Sequence, residues 1–136
     1  MNILGVGMDI VETKRIAESI DRFGDRFLQR IFLDDEVAYA QSMKFPHLHL
    51  AARFAAKEAI SKAFGTGIGR DLGWRDLEIF REPSGAPQVR LHGRAEAYAK
   101  QRGVLAVYVS LSHTAEYGAA SAVIVGNEGH PSTSPG

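Results

Sequence analysis

Residues 2 to 12, NILGVGMDIVE, alternate with a period of two. Leu4, Val6, Met8 and Ile10 fall on one face of this predicted strand, and Ile3, Gly5, Gly7, Asp9 and Val11 fall on the other. Two glycines leave room beside Asp9 for something bulky to approach. The period then becomes helical. Ile16, Ile20 and Phe23 recur behind Thr13, a candidate N-cap, and Gly24 suits the helix end. A second helical piece is expected from Asp25 to Phe32. A third, capped by Asp34, should run through Met43 until KFPH interrupts it. The longest helix is predicted from about Leu48 to Phe64.

Beyond a glycine-rich loop, DLEIFREPSGAPQVRLHG reads as a hairpin. Leu77 and Ile79 face Val89 and Leu91 across a Pro-Ser-Gly-Ala-Pro turn. RAEAYAKQRG predicts a short helix closed by Gly103, and VLAVYVSLSHTAEYGAASAVIV predicts two strands around a turn. Helices gathered early and antiparallel hairpins late argue for an α+β fold, a small antiparallel sheet with a long central helix. The domain is expected to span 1–126, followed by a polar, Gly/Pro-rich tail at 127–136 expected to be disordered.

With 136 residues the chain has the size of one domain and can bury a core without staples. It has no cysteine, which excludes a disulfide scaffold, a thiolate zinc site and a cysteine nucleophile, and which suits a reducing cytoplasm. The N-terminus lacks the basic region of a signal peptide, and no apolar stretch approaches the roughly 20 residues of a membrane span. Sixteen basic and sixteen acidic side chains cancel. A global nucleic-acid-binding field is thereby excluded, and any charged partner must meet a local patch.

Candidate chemistry concentrates in RFAAKEAISKAFGTGIG, residues 53 to 69. On a helical wheel Ala52, Ala56, Ala59, Ile60 and Ala63 form a small apolar stripe, with Phe54, Glu58, Ser61 and Lys62 opposite. Glu58 and Lys62, four apart, read either as a solvated pair worth a few tenths of a kcal/mol or as part of a site. GTGIG is no Walker loop, because it follows a helix instead of preceding one. Its glycines could cap the helix, or could admit a ligand to backbone N–H groups beside Lys62. Asp9 needs a partner or a cation if buried, or it caps the following helix. SLSHT, Ser110 to Thr114, gathers hydroxyls and an imidazole at a turn. It lacks the GxSxG elbow, yet can hydrogen-bond phosphate. His47 and His49 lack metal spacing on one helical face and are read as surface residues. Two separated carboxylates, a lysine, a glycine loop and a Ser–His turn suit magnesium and phosphoryl chemistry.

In order and spacing, GMDIVE, ARFAAKEAISKAFGTGIG and SLSHT resemble the holo-[acyl-carrier-protein] synthases, bacterial 4′-phosphopantetheinyl transferases. The likeness covers about residues 2 to 125 and includes the central hairpin; Met8 stands where the family commonly carries threonine. The resemblance implies Asp9 and Glu58 as ligands of Mg²⁺, with Lys62 at the phosphates of coenzyme A. It implies Arg53, Gly65, Ser112, His113 and Thr114 around the rest of that co-substrate. The implied reaction moves 4′-phosphopantetheine from coenzyme A to a serine of apo-acyl carrier protein, in fatty acid biosynthesis, releasing adenosine 3′,5′-bisphosphate. Glu58 and Lys62 are the catalytic candidates. Glu58 and a metal-bound water are alternative acceptors for the serine proton. The resemblance also implies a homotrimer with active sites between subunits.

If residues 14 to 30 continued as one helix, Arg15, Arg22, Arg26 and Arg30 would lie within about 80° of one another. Such a basic stripe suits an acidic carrier protein. A transferase dedicated to a polyketide or peptide-synthetase carrier is one rival reading. A coenzyme A-binding or carrier-docking module without turnover is another, opposed by the retention of both carboxylates and Lys62.

Overall fold

In the computed structural model, residues 1–127 are described; the expected tail lies, from 128 onward, outside them. All ten predicted strands and helices take their expected class, around one antiparallel sheet of three strands. That sheet joins β1 (Asn2–Glu12), β4 (Val104–His113) and β5 (Tyr117–Gly126) in the order β1-β5-β4. Its register sets Asp9 opposite Ala120 and Ser112 opposite Ala119. A second pair of strands, β2 (Leu77–Arg81) and β3 (Pro87–Leu91), forms the hairpin with Leu77 opposite Leu91 and Ile79 opposite Val89. The fold is α+β, as the segregation of helices and hairpins predicted.

Helix α4 (Pro46–Phe64) lies across the sheet, and small residues let it do so. Ala51, Ala52, Ala55, Ala56, Ala59 and Ala63 are buried on the helix, facing Ala120 and Ala122 of β5. A Cβ at Gly5 would run into the Ala63 carbonyl, and one at Gly7 into the Ala59 carbonyl. The bulky neighbour that the β1 glycines admit is therefore this helix, not a ligand. Close approach of backbone to backbone is what those glycines supply. The wheel also needs correcting: α4 is buried almost all round, with Arg53, Lys57 and Ser61 as covered as its alanines.

Helices α1 (Thr13–Phe23) and α2 (Asp25–Ile31) are separated at Gly24, whose φ of 57° breaks the register. One continuous helix carrying four arginines is thus not what forms. Helix α3 (Asp34–Gln41) stops two residues short of Met43, and α5 (Gly93–Gln101) precedes Gly103 as expected. Neither expected N-cap acts as one. Thr13 is the first residue of α1 and donates its hydroxyl to the Ala115 carbonyl at 2.6 Å, pinning the helix to the β4–β5 turn. Asp34 is likewise already helical, and the preceding Leu33 N–H donates to Glu36 at 2.8 Å. Pro46 opens α4 where a break was expected, because proline's missing N–H costs nothing in a first helical turn.

Candidate active site

The close packing of α4 on β1 brings residues far apart in sequence together. Lys62 Nζ donates to Asp9 Oδ1 at 2.9 Å and to the Met8 carbonyl at 3.1 Å. The direct ion pair of this region is therefore Lys62–Asp9, not the Glu58–Lys62 pair suggested by helical spacing. Glu58 lies one turn earlier and is half-buried. Partial burial raises its pKa above the usual carboxylate range, the Asp9 charge adds to this, and Lys62 partly opposes it. The hydrogen bond that Lys62 donates to Asp9 raises the pKa of Lys62, which keeps the ammonium charged.

Glu58 and Lys62 border a groove of about 760 Å³ whose walls also include Arg30, Gly67, Trp74 and Arg94, and Asp9 is held against it through Lys62. Gly65 ends α4 in the left-handed region, φ 80°, as a helix C-cap requires. The loop is less of an amide cradle than its glycines suggested. The N–H groups of Gly65, Thr66, Gly67 and Gly69 are spent on the carbonyls of Lys62, Ser61, Ser61 and Leu72. It contributes a shaped wall, and the positive charge comes from Lys62, Arg30 and Arg94.

A second group gathers near the other end of α4. Arg53 is 1% exposed, with its guanidinium over the Tyr39 ring at 4.4 Å and its Nε without a hydrogen-bond partner. Burial lowers its pKa, opposed by Glu36 and Tyr39. Arg53 opens onto a separate cleft of about 480 Å³ with Tyr39, Arg81 and Gly85. Ser112 and His113 end β4 exposed, and the Thr114 hydroxyl accepts the N–H groups of Glu116 and Tyr117. The His113 ring meets His49 at 4.8 Å, and His49 meets Tyr39 at 5.9 Å. His49 is therefore no free surface residue. Burial lowers its pKa, as do the positive charges of His113, Arg53 and Arg81.

Within one chain the two groups stay apart. At 1.5 Å per residue, nine residues of α4 separate Arg53 from Lys62 by about 13 Å, and thirteen separate His49 from Lys62 by about 20 Å. Tyr39, Lys57, Trp74, Arg81 and Arg94 were not singled out from sequence, and His49 was read as a surface residue. A readable signal did exist: His49, Arg53 and Lys57 recur every four residues on a helix otherwise rich in alanine.

Among the described residues, no three or more His, Cys, Asp or Glu side chains gather as a closed metal site. Asp9 and Glu58 are a pair of hard oxygen donors, the complement from which Mg²⁺ is usually held together with ligand phosphates and water. The residues present fit that ion. Among the described residues, no helix is long and apolar enough to cross a membrane.

Fold and site together describe an α+β protein with a cationic groove beside a carboxylate pair, suited to a phosphate-bearing ligand. The chain belongs to the 4′-phosphopantetheinyl transferase superfamily, which matches residues 5–122. It is 49% identical over 122 residues to a holo-[acyl-carrier-protein] synthase of Koribacter versatilis, covering 90% of this chain and 98% of that one. Its fold is similar to the crystal structure of the Neisseria meningitidis holo-[acyl-carrier-protein] synthase. The TM-score is 0.85 at 33% identity, over 91% of this chain and 99% of that one. The Helicobacter pylori synthase, solved in complex with coenzyme A, matches with a TM-score of 0.79 at 32% identity, over 88% and 99% of the two chains. Family membership makes this chain an enzyme that transfers 4′-phosphopantetheine to a carrier protein.

Proposed function

We propose that the groove between Asp9, Glu58 and Lys62 is where coenzyme A gives up its 4′-phosphopantetheine to a serine of apo-acyl carrier protein, for fatty acid biosynthesis in the cytoplasm. The observation that carries this reading is the meeting of Asp9 and Lys62 at 2.9 Å, with Glu58 beside them at the mouth of a cationic groove. Asp9 and Glu58 would hold Mg²⁺. Bound there, the ion would offset charge on the pyrophosphate. Lys62 does the same as a fixed ammonium, and Arg30 extends the positive wall. The serine oxygen forms a bond to the phosphorus bearing the pantetheine arm. The bond from that phosphorus to the bridging oxygen breaks, and adenosine 3′,5′-bisphosphate leaves. Glu58, the carboxylate within the groove with a raised pKa, would take the serine proton, with a metal-bound water as the alternative acceptor.

The rest of the co-substrate falls to Arg53, Gly65 and Ser112–Thr114, with Tyr39, His49 and Arg81 beside them. Because one chain sets His49, which the His113 ring meets, about 20 Å along α4 from Lys62, a neighbouring subunit is the natural supplier of one half. The outer face of the sheet supports a homotrimer. Val6, Met8 and Ile10 of β1 and Tyr108 of β4 are each 60% exposed or more, an apolar face that another copy would cover.

The acidic carrier would meet α1 and α2. Although Gly24 bends the path, Arg15, Arg22 and Phe23 line one concavity, and Phe23, Arg26, Phe27 and Arg30 line the next. Arg30 also belongs to the phosphate groove, so the arginines form a track ending at Lys62. Incubation with apo-carrier, coenzyme A and Mg²⁺, followed by intact mass measurement, tests the function. The carrier should gain one phosphopantetheine group, and an unchanged mass would refute the reading.

A further inference from the structure

The groove chemistry leaves one buried ion pair unused. Lys57 Nζ and Glu36 Oε1 stand 2.7 Å apart with side chains 0% and 1% exposed. Lys57 spends its other two donors on the carbonyls of Ile31 at 2.8 Å and Trp74 at 3.0 Å. Glu36 accepts the N–H of Leu33 through Oε1 and that of Ile79 through Oε2, both at 2.8 Å. One pair of charges thus joins the end of α2, the start of α3, the middle of α4, the 3₁₀ turn Trp74–Asp76 and the middle of β2. Net stability is a poor reason for such a pair, since a well-packed apolar pair of similar volume commonly serves as well. What an apolar pair cannot do is bind two carbonyls at fixed positions.

One of those carbonyls belongs to a wall of the groove and the other to the neighbour of a wall residue. Ile31 follows Arg30, Trp74 itself lines the groove, and Lys57 precedes Glu58. The Trp74 wall is the far end of a loop from 65 to 73 that contains four glycines. Its other anchors are the stack of Trp74 on Phe54, with ring centroids at 5.0 Å, the Arg94 hydrogen bond to the Arg70 carbonyl at 2.9 Å, and buried Leu72. Of the two directional contacts, only the ring stack reaches α4. Without the Lys57 bond to the Trp74 carbonyl, the distance from that wall to Glu58 and Lys62 would rest on one aromatic contact, the packing of Leu72 and a glycine-rich segment. We propose that Lys57, oriented by Glu36, is a positioning residue that sets the width of the phosphate groove by tethering its α2 and loop walls to α4. This deepens the transferase reading only in saying what the groove holds; the tether itself can be measured without any ligand.

Trp74 is the chain's single tryptophan and reports directly on the wall it forms. Lys57→Met, which keeps the aliphatic stem, is compared with Ile124→Ala, a core change on β5 that removes packing beneath α4. Both are studied below their unfolding midpoints, with the far-UV spectrum confirming the fold. In Lys57→Met without ligand, Trp74 emission should shift to the red and acrylamide quenching should rise about twofold. Its KM for coenzyme A should rise on the order of tenfold, with KM for carrier changed far less. Ile124→Ala should lose thermal stability while keeping the wild-type emission and both KM values. Should Lys57→Met fail to accumulate, Glu36→Gln removes the charge that orients Lys57 and should give the same signature more weakly. A folded variant with wild-type emission, quenching and KM for coenzyme A overturns the tether and leaves the pair a plain strut. If the wild type instead fails to modify carrier, the transferase reading falls while the emission comparison still decides the role of Lys57.

Discussion

Asp9 and Lys62 meet although 53 positions separate them, and their chemistry depends on Glu58 beside them. Two carboxylates near one ammonium repel each other, and the repulsion, added to partial burial, raises the Glu58 pKa. A divalent ion relieves that repulsion. Asp9→Asn and Glu58→Gln should each lower turnover on the order of a hundredfold while leaving the fold intact. Mg²⁺ should raise the thermal midpoint of the wild type and not that of Asp9→Asn, because only a metal-binding folded state gains from the ion. Near-normal rates in both variants at saturating Mg²⁺ would remove the shared-metal assignment. The sign of the Glu58 shift makes a separate prediction. A folded-state carboxyl pKa above the unfolded value means that protonated Glu58 favours folding, and that this advantage is lost as pH rises through the folded pKa. Ionised Glu58 is then a cost at neutral pH. In metal-free buffer near neutrality, Glu58→Gln should melt above the wild type, the gap closing as pH falls toward the ordinary carboxylate range. An equal or lower midpoint at neutral pH would count against it.

At the scale of elements, the α1–α2 unit carries the carrier-docking proposal, and Gly24 decides its shape. Arg22 on α1 and Arg26 on α2 flank the bend, each bordering the same Phe23. Arg22→Glu with Arg26→Glu should raise KM for carrier about tenfold or more and leave KM for coenzyme A unchanged. The wild-type carrier KM should rise with ionic strength, since exposed charges are screened, and that of the variant should depend less on salt. A double variant with the wild-type carrier KM and salt slope would reduce the track to solvated arginines. The bend itself was only half legible. Gly24 could be read as a helix end, but whether α2 resumed in register depended on a dihedral that no residue pattern specifies. Strands and helices were legible because period two and period 3.6 record which face is buried. The alanines of α4 announced close packing as well. The Lys57–Glu36 pair was not legible, because its partners lie 21 residues apart and a lysine in a helix ordinarily reads as solvated. Asp9, Glu58 and Lys62 could be picked out singly, but the Asp9–Lys62 contact required the approach of β1 to α4 through Gly7.

For the whole molecule, the decisive features are two polar groups set apart along α4 and one uncovered apolar face. Val6, Val123 and Tyr108 lie side by side across β1, β5 and β4, and Val6 and Tyr108 are 65% and 60% exposed. A monomer would leave that face in water, and would leave His113 and Arg53 unable to share a ligand closely with Lys62. Assembly removes both difficulties if the sheet faces meet and bring the His113 end of one copy toward the Lys62 groove of the next. A charge introduced there would be buried without a partner, at a cost an interface of this kind does not tolerate. Val6→Glu and Tyr108→Glu should each shift sedimentation at assay concentration from trimer to monomer, with a far-UV spectrum close to the wild type. Activity per subunit should fall with the trimer fraction, and dilution of the wild type should reproduce the loss without any substitution. Coenzyme A should partly restore assembly in the diluted wild type, because a ligand bound between subunits stabilises the state that binds it. A fully active monomer, whether reached by substitution or by dilution, would show that a single chain closes the site unaided, and the separation of His49 from Lys62 along α4 would then have no bearing on catalysis.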